Sequence, residues 1–365
     1  MKNIERLPLL ILFLLFCWLR HPIIFAHSLN PKVVERLTGE TVEDHDHLQS
    51  DVLSDPRGEE RTYASFPEWY IVYSAQEYSI FVAEGHRPSQ FPYFKSIAQY
   101  WDAADHTTAV LGDEEIDEST QTVLRFIGFS FSAEQAVIGL YEKTIGRIFE
   151  YANVLIETNE DQYTEAVAEE YGQFLLHTPW YEFPYGRKLA GLWTTYDWSS
   201  LTPRGIERRV VFTLGYSVKG MYAHITHRLS SRSLGTANLS TVLEVQGISA
   251  EQLHTLSGVT VINVGDDKHV RATAPRYRVF TSIAQSITDA GGSFLSIQDH
   301  DTIMLTVIAP EETDCFEDMN VLFRMPILTQ PGFLRVAIDT DILTLSDTIN
   351  SISNCHMALE HLYDY

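Results

Sequence analysis

The sequence predicts an α+β protein in which an N-terminal aromatic-rich helical domain is followed by a C-terminal α+β sandwich. Three observations carry this. Between residues 62 and 230 apolar side chains recur at three- and four-residue spacing, the mark of amphipathic helices. After about residue 240 short β-branched runs bounded by turn residues take over. Between the two lies Ser230 to Ser240, small, polar and glycine-containing, as a linker would be. With 365 residues, 45% of them hydrophobic and 21% charged, the chain has ordinary globular composition and length enough for two domains.

Residues 1–26 read as a signal peptide or a membrane anchor. Lys2 and Arg6 precede an apolar run from Pro8 to Leu19, and Arg20-His21 separates it from Pro22 to Ala26. The run is short for a bilayer span, which favours cleavage after Ala26, whereas snorkelling by Arg20 would let residues 7–26 serve as an uncleaved transmembrane helix. Phe16 stands where lipid attachment at Cys17 would need a small residue. No later stretch is apolar enough to span, since Val123 to Leu140 contains Arg125 and Glu134, and Val210 to Leu229 contains Lys219 and Arg228. The expected location is therefore the periplasm, free or anchored to the inner membrane. Beyond the leader only Cys315 and Cys355 remain, an even number that permits one disulfide in an oxidising compartment. Asn238-Leu-Ser240 fits a glycosylation sequon.

Residues 27–61 read as an acidic flexible spacer, with nine acidic against three basic residues from Glu35 to Arg61. Its run Glu43-Asp44-His45-Asp46-His47 has metal-binding residue types but reads as a solvated linker. In the helical domain, 62–230, a first helix is expected from Ser65 as cap to about Glu84. Others are expected at about 93–111, 119–152, 160–177, with Thr158-Asn159 as a cap, and 205–229. Two of them share a spacing, Val137-Ile-Gly139-Leu-Tyr141 and Val218-Lys-Gly220-Met-Tyr222, read as parallel solutions to close helix packing.

In the second domain, 240–365, strands are expected at Thr241 to Val245, Val259 to Val264, His269 to Thr273 and Ser293 to Ile297. Four more are expected at Thr302 to Ile308, Val321 to Leu328, Phe333 to Ile338 and Met357 to Leu362. Helices at about 249–257, 277–290 and 342–353 alternate with them. Gly291-Gly292 ends one helix and Gln330-Pro-Gly332 turns a hairpin. The alternation suits a sandwich with split βαβ units, of which a ferredoxin-like arrangement is one form. Such folds name no activity.

The charge balance, 49 acidic against 26 basic residues or 23 net negative charges, argues against a nucleic-acid partner. The glycine-rich phosphate loop, the Gly-x-Ser-x-Gly elbow, His-Glu-x-x-His and Cys-x-x-Cys are all missing, which disfavours kinases, dinucleotide enzymes, common hydrolases and zincins. Two candidate sites remain. Glu68, Trp69, Trp180, Tyr181 and Glu182, in proline-aromatic clusters, have the chemistry to line a ligand pocket, with rings as walls and the carboxylates orienting the guest. Glu134, Glu170 and His177 sit among apolar helical stripes, where a carboxylate must be paired, hydrogen-bonded or protonated. If they converge they form an acid/base or metal group, with His177 as base or ligand. Their spacing departs from the Glu-x-x-His of carboxylate-bridged metal bundles, and arginines such as Arg125, Arg147, Arg187 and Arg228 offer structural pairing instead. His361, in an alternating C-terminal run, reads as a surface residue.

The runs Phe66-Pro-Glu-Trp-Tyr-Ile-Val-Tyr73, Tyr141-Glu-Lys-Thr-Ile-Gly-Arg147 and Thr178-Pro-Trp-Tyr-Glu-Phe-Pro-Tyr-Gly186 resemble a group of uncharacterised bacterial envelope proteins with no known activity. The resemblance covers about residues 60–230 and supplies no catalytic residues or cofactor. What it implies is a bacterial envelope location. The expected function is a non-catalytic envelope protein that binds a small molecule or protein partner through its helical domain. An enzyme with a buried Glu/His site in that domain is the alternative, and a structural subunit with a wide apolar patch is a third.

Overall fold

The structure is a computed structural model that describes residues 63–112, 118–152, 157–195, 202–233, 240–265 and 269–363. Residues 1–26, expected to be a signal peptide or anchor, the 27–61 stretch with its 43–47 run, and Asn238 of the sequon lie outside the described residues. The expectation of a transmembrane helix is corrected: among the described residues no helix is long and apolar enough to cross a membrane. Helices and two antiparallel four-stranded sheets make an α+β protein, helical first and sheet-containing second. The described residues divide into two compact units, 73–97 with 126–233, and 63–72 with 98–125 and 240–363.

The helices are α1 (Phe66–Ala83), α2 (Tyr93–Leu111), α3 (Glu118–Tyr141), α4 (Arg147–Ala152), α5 (Asn159–Leu175), α6 (Tyr185–Thr194) and α7 (Pro203–Ser233). The first three contribute residues to both units. The continuous helix expected over 119–152 is broken by a π-helical turn, Glu142–Gly146, between α3 and α4. The widened turn brings Glu142 and Gly146 to the interior, where both are buried. Helix α5 is closed by the anticipated Thr158, whose Oγ1 accepts from the Asp161 N–H at 3.1 Å while the Asp161 carboxylate accepts from the Thr158 N–H at 3.3 Å. Helix α6 is not among the expected helices; it is only ten residues long and holds Gly186 and Gly191, so it reads as part of the Thr178–Gly186 corner even though Tyr185, Leu189, Leu192 and Trp193 recur at helical spacing.

The helical unit builds one aromatic corner twice. In the first copy a 3₁₀ turn, Pro88–Gln90, leads through Phe91-Pro92 to Tyr93 at the head of α2. In the second the turn Trp180–Glu182 leads through Phe183-Pro184 to Tyr185 at the head of α6. Phe91 meets Tyr93 edge-on at 4.9 Å and Phe183 meets Tyr185 edge-on at 5.0 Å. A helix supplies the same pair of rings to each: Tyr78 and Phe81 lie 5.1 and 5.7 Å from Phe91, and Tyr171 and Phe174 lie 5.0 and 5.3 Å from Phe183. The two glycines of the shared helical pattern complete the match. A methyl on Gly139 would fall 2.7 Å from Tyr93 Cβ, and one on Gly220 would fall 3.4 Å from Tyr185 Cβ. Gly139 thus leaves no room for a side chain beside the tyrosine that opens α2, whereas at Gly220 the matching approach to Tyr185 is an ordinary contact. Edge-to-face ring pairs of this kind each add about 0.5–1.5 kcal/mol beyond burial.

The second unit holds β1 (Ser240–Gln246), α8 (Ala250–His254), β2 (Thr260–Val264), β3 (Val270–Pro275), α9 (Arg278–Asp289) and β4 (Ser293–Ile297). There follow β5 (Thr302–Pro310), β6 (Asn320–Pro326), β7 (Phe333–Asp341), α10 (Leu345–Asn354) and β8 (Ala358–Leu362). The sheet orders are β2-β3-β1-β4 and β6-β7-β5-β8, all neighbours antiparallel. Numbered within its own half, each sheet reads 4-1-3-2, the strand order that split βαβ units produce. The halves differ in the first crossover: α8 makes it in the first half, and 311–319 makes it with turns in the second. One apolar core joins both halves, from Leu243 and Phe280 to Leu305, Ile349 and Leu362. Cys315 and Cys355 are disulfide-bonded, tying that turn segment to the end of α10. From the N-terminal part of this unit, Phe66 packs edge-on against Phe323 at 4.7 Å and Gln99 donates to the Pro326 carbonyl at 2.6 Å.

Candidate functional site

Helix α7 organises the helical unit because its two long faces have opposite tasks. At 3.6 residues per turn Arg204, Arg208, Phe212, Tyr216 and Ala223 lie on one side. That side is inward: Arg204, Arg208, Tyr216 and Ala223 are buried, and Arg208 is only 1% exposed. Arg208 grips Glu142 with a two-pronged contact, Nη1 donating to Oε1 at 2.8 Å and Nη2 to Oε2 at 2.9 Å, while its Nε donates to Glu207 at 3.0 Å. Arg204 donates to Asp161 at 3.1 Å, to Glu207 at 3.0 Å and to the Gly146 carbonyl at 3.3 Å, and its guanidinium lies 3.8 Å from Glu150. Arg209 donates to Glu160 at 2.9 Å. This is a lattice of charge-assisted bonds joining α7 to the π turn, α4 and α5.

Five carboxylates against three guanidiniums leave two negative charges to be offset inside. Hydroxyl and amide donors meet them: Ser89 donates to Glu150 from its N–H at 3.1 Å and its Oγ at 2.5 Å, and the Tyr141 hydroxyl donates to Glu207. Burial, then the bond to Glu207, pushes the Tyr141 phenol well up, so it stays a donor. Burial works against the Arg208 charge, but Glu142 and Glu207 outweigh it and the guanidinium is held charged. Such lattices give little net stability over an apolar core, but breaking one leaves buried charge uncompensated, so they fix one arrangement of helices. Here they fix the rotation of α7.

The opposite side of α7 carries Ile206, Val210, Leu214 and Met221, within an arc of about 80°. These are 51%, 50%, 61% and 44% exposed. The same unit also exposes Phe129, Ile148 and Tyr151. The outward side of α7 is thus an exposed apolar stripe on a helix whose inward side is held by the lattice.

The residues singled out from the sequence occupy other places. Glu134 pairs with Lys219 at 2.5 Å, and Glu170, half-exposed, pairs with Lys188. Burial would discharge Lys219, but Glu134 and Tyr171 outweigh it and hold the ammonium up. His177 lies exposed in the turn after α5 ends at Leu175. Each carboxylate thus has its own lysine, and among the described residues no group of three His, Cys, Asp or Glu is placed to hold a metal. Trp180 stacks on Tyr222 at 5.0 Å, Tyr181 packs on the same aromatic core, and Glu182 is exposed. Glu68, exposed, and Trp69, buried, belong to the other unit, where Trp69 lies on His361 at 3.6 Å. The rings of these clusters fill cores. His361 is not a surface residue as expected: it is 1% exposed, because the outer side of β8 is covered by Trp69 and Tyr363.

Sequence reasoning passed over Arg204, Arg208 and Arg209. The available signal was the placement of Arg204 and Arg208 one helical turn apart beside Glu207, in a helix otherwise apolar on both sides. No family model, no curated protein and no solved structure matches the chain.

Proposed function

We propose that this is an exported, non-catalytic binding protein whose helical unit docks an amphipathic helix of a protein partner on the outward face of α7. One observation carries the reading: Ile206, Val210, Leu214 and Met221 form an exposed apolar stripe on a helix whose other face is locked by a buried charge lattice. Binding of this kind needs rigid apolar anchors at helical spacing, which the stripe supplies. The engagement of Arg204 and Arg208 by internal carboxylates favours positioning over chemistry, since donors already committed do not bind substrate. Export is supported by the basic-then-apolar N-terminus and by the Cys315–Cys355 disulfide, a bond that persists in oxidising compartments. The resemblance to bacterial envelope proteins points the same way.

The test is the mass of the native complex recovered from the producing cell. The double variant Val210→Glu, Leu214→Glu should be recovered free of partner while melting like the parent. A complex that survives both substitutions would contradict the reading.

A further inference from the structure

His361 lies in β8, opposite Thr306 of β5, with its ring wholly enclosed. Trp69 of α1 covers one face, the centroids 3.6 Å apart, and Tyr363 meets it edge-on at 4.7 Å. Its Nδ1 is 3.4 Å from the Thr281 hydroxyl of α9, a long contact, and its Nε2 is buried with no hydrogen-bond partner. The charged groups around it are mostly cationic. Arg278 of α9 and Arg276 before it both bear on the imidazole, and Arg278 is held in place by donating to the Glu360 carbonyl. Of the carboxylates nearby, Glu360 is gripped by Arg335 at 2.7 and 2.8 Å, and Glu68 beside Trp69 is exposed. Two phenols also border the contact, Tyr277 with its ring 6.0 Å from Trp69 and Tyr363 edge-on to the imidazole.

We propose that His361 is an acid-sensitive clasp: its neutral ring holds Trp69, and with it residues 66–72 of α1, against the sheet unit, and protonation opens that contact. Among the described residues a charged imidazole here would have an unpaired buried nitrogen and two arginines for company, with neither Glu360 nor Glu68 as its partner. Burial, then Arg278 and Arg276, depress the proton affinity of the ring well below the ordinary histidine value. The open form, with a solvated imidazole, takes up a proton near the usual value of about 6.5, and the closed form does not. The clasp is therefore fully closed above about pH 6.5 and weakens as pH falls, by about tenfold in the opening equilibrium per pH unit, until the depressed value of the closed form is reached.

The experiment is hydrogen exchange followed by mass spectrometry on the full chain between pH 7.5 and 5.0, corrected for intrinsic rates, in the parent and in His361→Phe, which keeps a flat ring and cannot ionise. In the parent, opening of the peptide covering 66–72 should rise about fivefold from pH 6.5 to 5.5, because at pH 6.5 the open imidazole is already about half protonated, and in the variant it should stay level. No rise in the parent, or an equal rise in the variant, overturns the proposal. If the variant does not fold, the ¹³Cε1 signal of His361 in the parent decides. It should keep its neutral position at pH 5.5 while 66–72 are protected, and a charged position with that peptide still protected overturns the clasp.

Discussion

Replacing Arg208 by Met tests whether the charge lattice holds α7 in place. Methionine matches the length of the aliphatic stem but removes every donor. Glu142 then loses both prongs of its contact, at 2.8 and 2.9 Å, and Glu207 loses one of its donors, at 3.0 Å, in surroundings where the three side chains are at most 5% exposed. Removing one partner of a buried pair typically costs about 3–5 kcal/mol, because the remaining charge stays desolvated. For a unit of this size that is a fall in melting temperature of roughly 10 °C. Differential scanning calorimetry would read it as a loss confined to the transition of the helical unit. The double variant Arg208→Met, Glu142→Leu should recover part of the loss, since it removes the stranded carboxylate as well. An Arg208→Met protein within about 1 kcal/mol of the parent, or a double variant no better than the single, would refute the reasoning.

Three further outcomes are expected. Gly146→Ala should cost about 1–3 kcal/mol in urea denaturation, because the added methyl collides with the Glu142 carboxylate and lies 3.3 Å from Arg208 Nη2, and neither group is free to yield. Cys355→Ser should destabilise the sheet unit by about 4 kcal/mol, the chain-entropy value for a loop of this length, given the 40-residue separation of the two cysteines. Dithiothreitol should lower the calorimetric melting temperature of the parent and leave that of the variant unchanged. Leu214→Glu should leave stability within about 0.5 kcal/mol of the parent in the same urea assay, because the side chain is 61% exposed.

Much of the architecture was legible because local signals carry it. The Thr158 cap, the strand Ser293–Ile297 and the helix Tyr93–Leu111 stand where spacing and turn residues put them. So does the Gly291-Gly292 stop, with Gly291 at φ +82° and its N–H bonded to the Thr288 carbonyl at 2.9 Å. The π turn was hidden because it answers a distant partner, Arg208, 66 residues beyond Glu142. The lattice was hidden for the same reason, since Arg209 and Glu160 are 49 residues apart. The outward stripe of α7 escaped because periodicity identifies apolar faces without saying which is covered, and α7 has two. In the case of Glu134 and Glu170, the helical stripe correctly marked unusual carboxylates but could not reveal that Lys219 and Lys188 answer them. The twin Val-x-Gly-x-Tyr pattern was visible, whereas its meaning depended on Tyr93 and Tyr185, which only the fold sets against the glycines.

The most direct test of the binding account is site-specific photo-crosslinking in the producing cell, with the reactive side chain placed in turn at Val210, at Leu214 and at Ala166, an exposed position on α5. Crosslinks to a single partner from 210 and 214 and none from 166 are predicted. Equal labelling from all three positions, or none from the α7 face, would contradict it.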